Sequence, residues 1–202
     1  MGDADDQADA SEEVVRSFVA IRLAAELQRE IGRLQERLRS AGAEVKWVAS
    51  EGFHLTLKFL GNVAPSRVDE VARAVGEAVD GVRPFVISFA GAGAFPDPKR
   101  PRVIWVGVDE GREDCAALAE RVEAALTRLG FAPEIRPFHA HLTLGRVRST
   151  AGIAPLAEEL GREQASLGKM IVDRISLMRS QLSRAGASYT VLREINLSGE
   201  AV

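Results

Sequence analysis

Cysteine is almost missing from this chain of 202 residues: Cys115 stands alone, so no internal disulfide can form. No run of eighteen apolar residues occurs, which excludes a membrane-spanning helix, and a hydrophobic content of 46% excludes wholesale disorder. The opening MGDADDQADASEE has neither the basic start nor the apolar stretch of a secretory signal, so a reducing cytoplasm is the expected setting. Lysine is scarce too, with only Lys46, Lys58, Lys99 and Lys169 among 26 basic residues. The arginine bias suits bidentate recognition of phosphate, but GC-rich genomes produce the same bias, so composition alone assigns no ligand. Net charge is unevenly placed. Met1 to Glu13 holds six acids and no base, and removing those six from a net charge of −3 leaves the remainder at +3. Residues 1–13 read as a disordered acidic tail.

From Arg16 onward, short apolar runs alternate with segments of helical spacing. Ser17 to Arg22 reads as a strand, and Ala24, Leu27, Ile31, Leu34, Leu38 and Ala41 trace an amphipathic helix ending at Gly42. Val45 to Ala49 and Phe53 to Leu60 read as strands; Ser66, with Asp69 in the capping-box position, is expected to cap a helix running to Val79. Strands follow over Phe85 to Ala90 and Arg102 to Val108, separated by the turn-rich GAFPDPKRP. A helix over Arg112 to Leu129 places Cys115 on its apolar face, where it serves as a core filler. The remainder reads as a strand over His139 to Val147, a helix over Pro155 to Leu167, and a terminal hairpin of Lys169 to Leu182 with Tyr189 to Leu197. Strands adjacent in sequence argue for α+β with largely antiparallel sheets.

One tetrapeptide occurs twice. His54-Leu55-Thr56-Leu57 recurs as His141-Leu142-Thr143-Leu144, in a chain with only three histidines and five threonines. On a strand the histidine and the threonine two residues on share a face, and the leucines point the other way. A single copy is readily explained as an ordinary alternating strand. Two copies, if their halves face each other, bring two imidazoles and two hydroxyls into one small volume. Imidazole titrates near neutral pH, so one can act as base while the other, protonated, acts as acid, and hydroxyls can donate to anionic oxygens. The ligand such a cage suits is a phosphodiester attacked in line, with no metal required.

At these residues the chain resembles the RNA 2′,3′-cyclic phosphodiesterases, long called 2′-5′ RNA ligases, of the two-histidine phosphoesterase superfamily. The resemblance spans nearly all of Arg16 to Leu197. It is carried by Arg16-Ser17-Phe18-Val19-Ala20-Ile21, by His54 through Gly61, by Ala94-Phe95-Pro96 leading to Pro101-Arg102-Val103-Ile104-Trp105, by Arg136 through Leu144, and by Ser180 to Tyr189. Ala140 departs from it, since the family often has proline before the second histidine. The resemblance implies two similar lobes with mainly antiparallel sheets flanked by helices, related by a pseudo-twofold axis, with a cleft between them; residues 14–202 would form this single bilobal domain. It implies hydrolysis of an RNA terminal 2′,3′-cyclic phosphate to the 2′-phosphate, with weak reversible 2′-5′ joining in some members. His54 would protonate the departing 3′ oxygen and His141 would take a proton from water. Thr56 and Thr143 would hold the non-bridging oxygens, and Arg146 would bind substrate, although its parity along the strand opposes that of His141. Partners are then RNA 3′ ends or cyclic nucleotides, with no metal, cofactor or membrane, and a monomer is expected.

Other readings stay open. Lys58 continues the His54 and Thr56 face by alternation, yet an exposed lysine at a strand end explains it more simply. Phe18, Phe95, Phe138, Trp105 and Tyr189 could stack a base, with Trp105 reading better as core. His139 and His141 share a strand face, and with His54 could form a three-nitrogen zinc site. Another cyclic or 2′-5′ nucleotide could be the substrate, or the histidines could serve a non-catalytic RNA-binding module.

Overall fold

The structure, a computed structural model, describes residues 14–183 and 186–199. The acidic segment 1–13 lies outside the described residues. The elements run β1 (Val15–Arg22), α1 (Ala25–Arg39), β2 (Val45–Trp47), β3 (His54–Val63), α2 (Val68–Val79), β4 (Phe85–Phe95), β5 (Val103–Val108), α3 (Arg112–Arg128), β6 (His141–Val147), α4 (Ile153–Arg162), β7 (Ser166–Val172), β8 (Arg174–Leu182) and β9 (Ala187–Asn196).

Periodicity explains the helices. Helix α1 buries Leu27, Ile31, Leu34 and Leu38 on one stripe and stops before Gly42, whose φ of 78° suits glycine. Helix α2 buries Val68, Val71, Val75 and Val79, each contributing on the order of 1.5–3 kcal/mol of burial. Its start differs from expectation. Pro65 opens a tight 3-10 turn over Pro65–Arg67, so Arg67 rather than Ser66 takes the cap position and no side chain caps the helix there; Asp69 instead pairs with Arg193 at 2.7 Å. On α3, Cys115 is fully buried as expected, and burial pushes its thiol up to about 12, so it is chemically quiet.

All strand pairings are antiparallel, in the order β7-β4-β5-β6-β3-β1-β8-β9, with β2 added to β6. The order divides in two: a four-stranded half ending in β6 meets a four-stranded half ending in β3. Helices α2 and α3 pack together on β9 and β3, whereas α1 and α4 pack together on β7 and β4. Thus α1 leaves β1 in one half and covers the sheet of the other, and α3 does the converse from β5. This exchange makes two similar α+β lobes about a pseudo-twofold axis, as the sequence led us to expect. Two local readings need correction. Lys169 to Leu182 is not one strand, because Asp173 separates β7, on the edge of one lobe, from β8, in the middle of the other. Strand β4 also runs on to Phe95, further than its apolar run suggested.

Among the described residues, no helix is long and apolar enough to cross a membrane.

Candidate active site

The two histidine motifs lie on neighbouring strands at the seam between the lobes. Leu55 of β3 pairs with Leu142 of β6, the second residue of each tetrapeptide. This register carries His54 toward Thr143 and Thr56 toward His141, with the pseudo-twofold axis passing between the leucines. Leu55 and Leu142 are fully buried in the core, while all four polar residues are half-buried on the opposite face. Alternation therefore delivers two imidazoles and two hydroxyls to one patch of one surface.

Each histidine is held in the same way. His54 Nδ1 lies 2.7 Å from the Gly52 carbonyl oxygen, and His141 Nδ1 lies 2.7 Å from that of His139. A carbonyl only accepts, so each Nδ1 carries the hydrogen and each Nε2 is left for a ligand. Rings complete the setting. Phe18 lies 4.7 Å from the His54 ring and Tyr189 meets its edge at 4.9 Å; Phe95 meets the His141 ring edge-on at 5.0 Å. A Cβ at position 52 would stand 3.1 Å from the Tyr189 ring, so glycine lets that ring close on His54. Burial pushes both imidazoles below the ordinary histidine value, against the opposing effect of the carbonyl bonds; the charges of His139 and Arg146 lower His141 further. Burial also raises the Tyr189 phenol, with Arg146 and Arg16 opposing it.

A β-bulge falls on the last residue of each motif. Val19 pairs with Lys58 and Ala20 with Thr56, leaving Leu57 as the extra residue; Ile104 pairs with Gly145 and Trp105 with Thr143, leaving Leu144 as the extra residue. Leu57 and Lys58 are thus both buried, as are Leu144 and Gly145, and the next residues, Phe59 and Arg146, turn outward. Gln35 of α1 supports the second bulge, its amide donating to the Leu144 and Val48 carbonyls at 3.0 and 2.8 Å. The bulge brings Arg146 to the histidine face despite its parity along an ideal strand.

The same bulge corrects both readings of Lys58. It neither faces the cleft nor lies exposed: at 4% exposure it is buried, donating to Glu123 Oε2 of α3 at 2.7 Å and to the Ala132 carbonyl at 3.0 Å. Trp105 is corrected as well. It opposes Gly93 and Thr143, so its indole lies on the site face across Gly93, where a Cβ would meet it at 2.4 Å, and 5.3 Å from Phe95. Its indole N–H is buried with no acceptor among the described residues. Phe138 is partly buried and packs against the core. The three-histidine arrangement does not assemble: among the described residues, no group of three or more His, Cys, Asp or Glu side chains is arranged to hold a metal. His139 enters through its carbonyl, a role that Gly52 fills equally well. Sequence reasoning missed these two carbonyls, although their shared position two residues before each histidine was the available signal.

The LigT-like phosphoesterase family matches twice, over residues 21–105 and 106–189, one match for each copy of the motif. The RNA 2′,3′-cyclic phosphodiesterase of Methanothermobacter thermautotrophicus is 39% identical over 91% of this chain and 99% of its own length; that of Aquifex aeolicus is 34% identical over 92% and 99%. The Escherichia coli LigT crystal structure in complex with 3′-AMP superposes with a TM-score of 0.74 at 27% identity, covering 92% of this chain and 99% of that one. With its tandem motifs, seam register and two-lobe sheet, this chain belongs to the LigT-like phosphoesterase family.

Proposed function

We propose that this protein hydrolyses RNA terminal 2′,3′-cyclic phosphates to 2′-phosphates by paired-histidine acid–base catalysis. The observation that carries the reading is the matched clamp: two imidazoles on one face, each with Nδ1 bound to a carbonyl and Nε2 open. The relatives' activity fits this site. His141 Nε2 takes a proton from water as its oxygen bonds to phosphorus. The P–O3′ bond breaks in line, and protonated His54 Nε2 gives its proton to O3′, leaving the 2′-phosphate. Thr56 and Thr143 donate to the non-bridging oxygens, whose charge grows in the transition state, and Arg146 supplies a fixed counter-charge. Burial favours the neutral form of both imidazoles in the resting protein. The bound phosphodiester anion stabilises the proton that His54 needs. After turnover His141 carries a proton and His54 lacks one, and exchange with solvent resets the pair. Because each lobe contributes half of this machinery, residues 14–202 act as one domain, and a monomer suffices.

The test is to incubate the protein with 2′,3′-cyclic nucleotides and with a cyclic-phosphate-ended oligonucleotide, with and without chelator, and to identify the isomer formed. The expected result is 2′-monophosphate at a rate that EDTA does not change. A 3′-monophosphate would reverse the assignment of the leaving oxygen. Turnover lost to EDTA and restored by zinc would replace the mechanism with a metal-based one. Turnover confined to other cyclic or 2′-5′ nucleotides would move the substrate class.

A further inference from the structure

Strands β5 and β6 present a second basic surface beyond the site. A groove of about 740 Å³ opens beside Lys99, Arg100, Arg102 and Arg148, with Val147 and Ile153 among its apolar lining. Among the described residues, no acidic one lines it. Only Arg100 has a carboxylate partner, Asp97 at 3.5 Å. Among the described residues, Lys99, Arg102 and Arg148 have no side-chain partner, whereas most arginines of this protein are paired with a neighbouring acid. Three cations without a carboxylate partner and one weakly paired arginine thus line a single groove.

The groove opens where the strand that carries His141 and Arg146 ends. His141 opens β6, Arg146 faces the site near its other end, and Arg148 follows immediately; seven residues at about 3.3 Å each place Arg148 roughly 23 Å from His141. Arg102 precedes Val103, which pairs with Arg146. By alternation Arg148 shares the face of Arg146, whereas Arg102, beside Val147, lies on the other; a chain of phosphates leaving the histidines past Arg146 therefore reaches Arg148 next and turns over the strand end toward Arg102, where the apolar wall accepts sugar or base. We propose that this groove binds backbone phosphates of the RNA strand several nucleotides before the cyclic end. This rests on the function proposed above, and it makes long RNA ends better substrates than cyclic mononucleotides.

The test combines Lys99→Gln, Arg102→Gln and Arg148→Gln in the full chain; all three side chains are surface groups, and thermal melting checks the fold. With a cyclic-phosphate-ended RNA of about ten nucleotides, KM should rise about tenfold and the slope of log KM against log salt should fall by about two. With a 2′,3′-cyclic mononucleotide, kcat and KM should stay unchanged, as should inhibition by inorganic phosphate. Unchanged KM for the long RNA overturns the groove, and equal losses on both substrates also overturn it, since the residues would then serve the terminal phosphate itself. If the unmodified protein turned over neither substrate, the proposed function would fail instead. Fluorescence anisotropy of a 3′-phosphate-ended RNA then decides the groove: weaker binding by the variant supports it, and equal binding overturns it.

Discussion

The two copies of the motif agree wherever they hold a histidine and disagree immediately afterwards. Both place the leucines in the core, clamp Nδ1 on a carbonyl two residues upstream, and insert a bulge at the fourth residue. After the bulge, the first copy continues with buried Lys58 and exposed Phe59, the second with Gly145 and Arg146. On the partnering strands the contrast continues: Ala20 stands beside Thr56 and Phe18 beside Phe59, whereas Trp105 stands beside Thr143 and Val103 beside Arg146. The duplicated part is the one to which the proposed function assigns proton transfer. The divergent part is the rim, apolar on one side and cationic on the other, which suits a substrate with a base at one end and phosphates at the other.

The shared apparatus should show the largest effects. Replacing either histidine in His54→Ala or His141→Ala removes a general acid or base, and kcat should fall by about 10² to 10⁴ in each. Since both act on one displacement, the double variant should lose far less than the product of the two factors. Steady-state rates on a cyclic nucleotide, with melting temperatures as the control for folding, check both statements; a folded variant that keeps most of its activity breaks the symmetry argued here.

Next comes the residue that the first copy buries and the second lacks. Lys58→Met leaves Glu123 without its ammonium partner. Removing one member of a buried pair costs on the order of 3–5 kcal/mol. Glu123 is 28% exposed and also accepts from the Glu134 amide and Thr127, so the cost should lie near 3 kcal/mol. Partial burial raises the Glu123 carboxyl, but the bonds from Lys58 and the Glu134 amide outweigh it and hold it below its usual range. A folded-state value below the unfolded one means that this stabilisation is complete above about pH 4.5 and is lost as pH falls through the folded value. Chemical denaturation at pH 7 and at pH 3 should therefore show a smaller difference between Lys58→Met and the unmodified chain at the lower pH.

Lys58 also shows where the sequence was legible and where it was not. The helices and most strands follow from apolar spacing, and the histidine pair follows from an improbable repetition of scarce residues. Period-two alternation, however, assigns Lys58 to the site face and Arg146 away from it, and a single bulge in each copy reverses both. A bulge is a matter of register between strands distant in sequence, so no local pattern reports it. Trp105 was misplaced for a related reason: an apolar residue in an apolar strand reads as core, and only its opposition to Gly93 and Thr143 reveals the other face. The histidine clamps are backbone groups, which side-chain patterns do not record. The continuation of the two lobes' sheets through Leu55 and Leu142 was equally invisible.

The threonines and Arg146 should give intermediate effects. A hydrogen bond to a charged oxygen is worth roughly 1.5–3 kcal/mol, so Thr56→Val and Thr143→Val should each cost about ten- to a hundredfold in kcat/KM, with serine restoring much of it. Arg146→Gln should fall in the same range and carry a second signature. Its charge lowers His141, so its removal should shift the His141 limb of the kcat/KM profile to higher pH. In the unmodified protein both imidazoles lie below the usual value, which places the optimum of kcat/KM on the acid side of about 6.5, while kcat, which reports the substrate complex, should peak at higher pH. A free-protein optimum well above 7 would contradict the buried setting of the pair.

The smallest effect sharpens the comparison most, because it tests two positions with the same task. Gly52 and His139 each lend a carbonyl to an imidazole, yet their side chains differ completely. His139 is exposed, and its ring lies 6.0 Å from Phe95 without being needed by the clamp, so His139→Ala should change kcat/KM by no more than about twofold. Loss of its charge should still raise the His141 limb of the pH profile slightly, since that charge lowers His141 in the unmodified protein. Gly52→Ala keeps the carbonyl but puts a methyl 3.1 Å from the Tyr189 ring, which must yield by a few tenths of an ångström and loosen its edge contact with His54. It should therefore cost more than His139→Ala, mainly in kcat, because the disturbed group is the imidazole to which the proposed mechanism assigns protonation of the leaving oxygen. Equal and small losses at both positions would mean that the carbonyl alone fixes each ring; a large loss at His139 would give its side chain a part in the reaction that Gly52 cannot match.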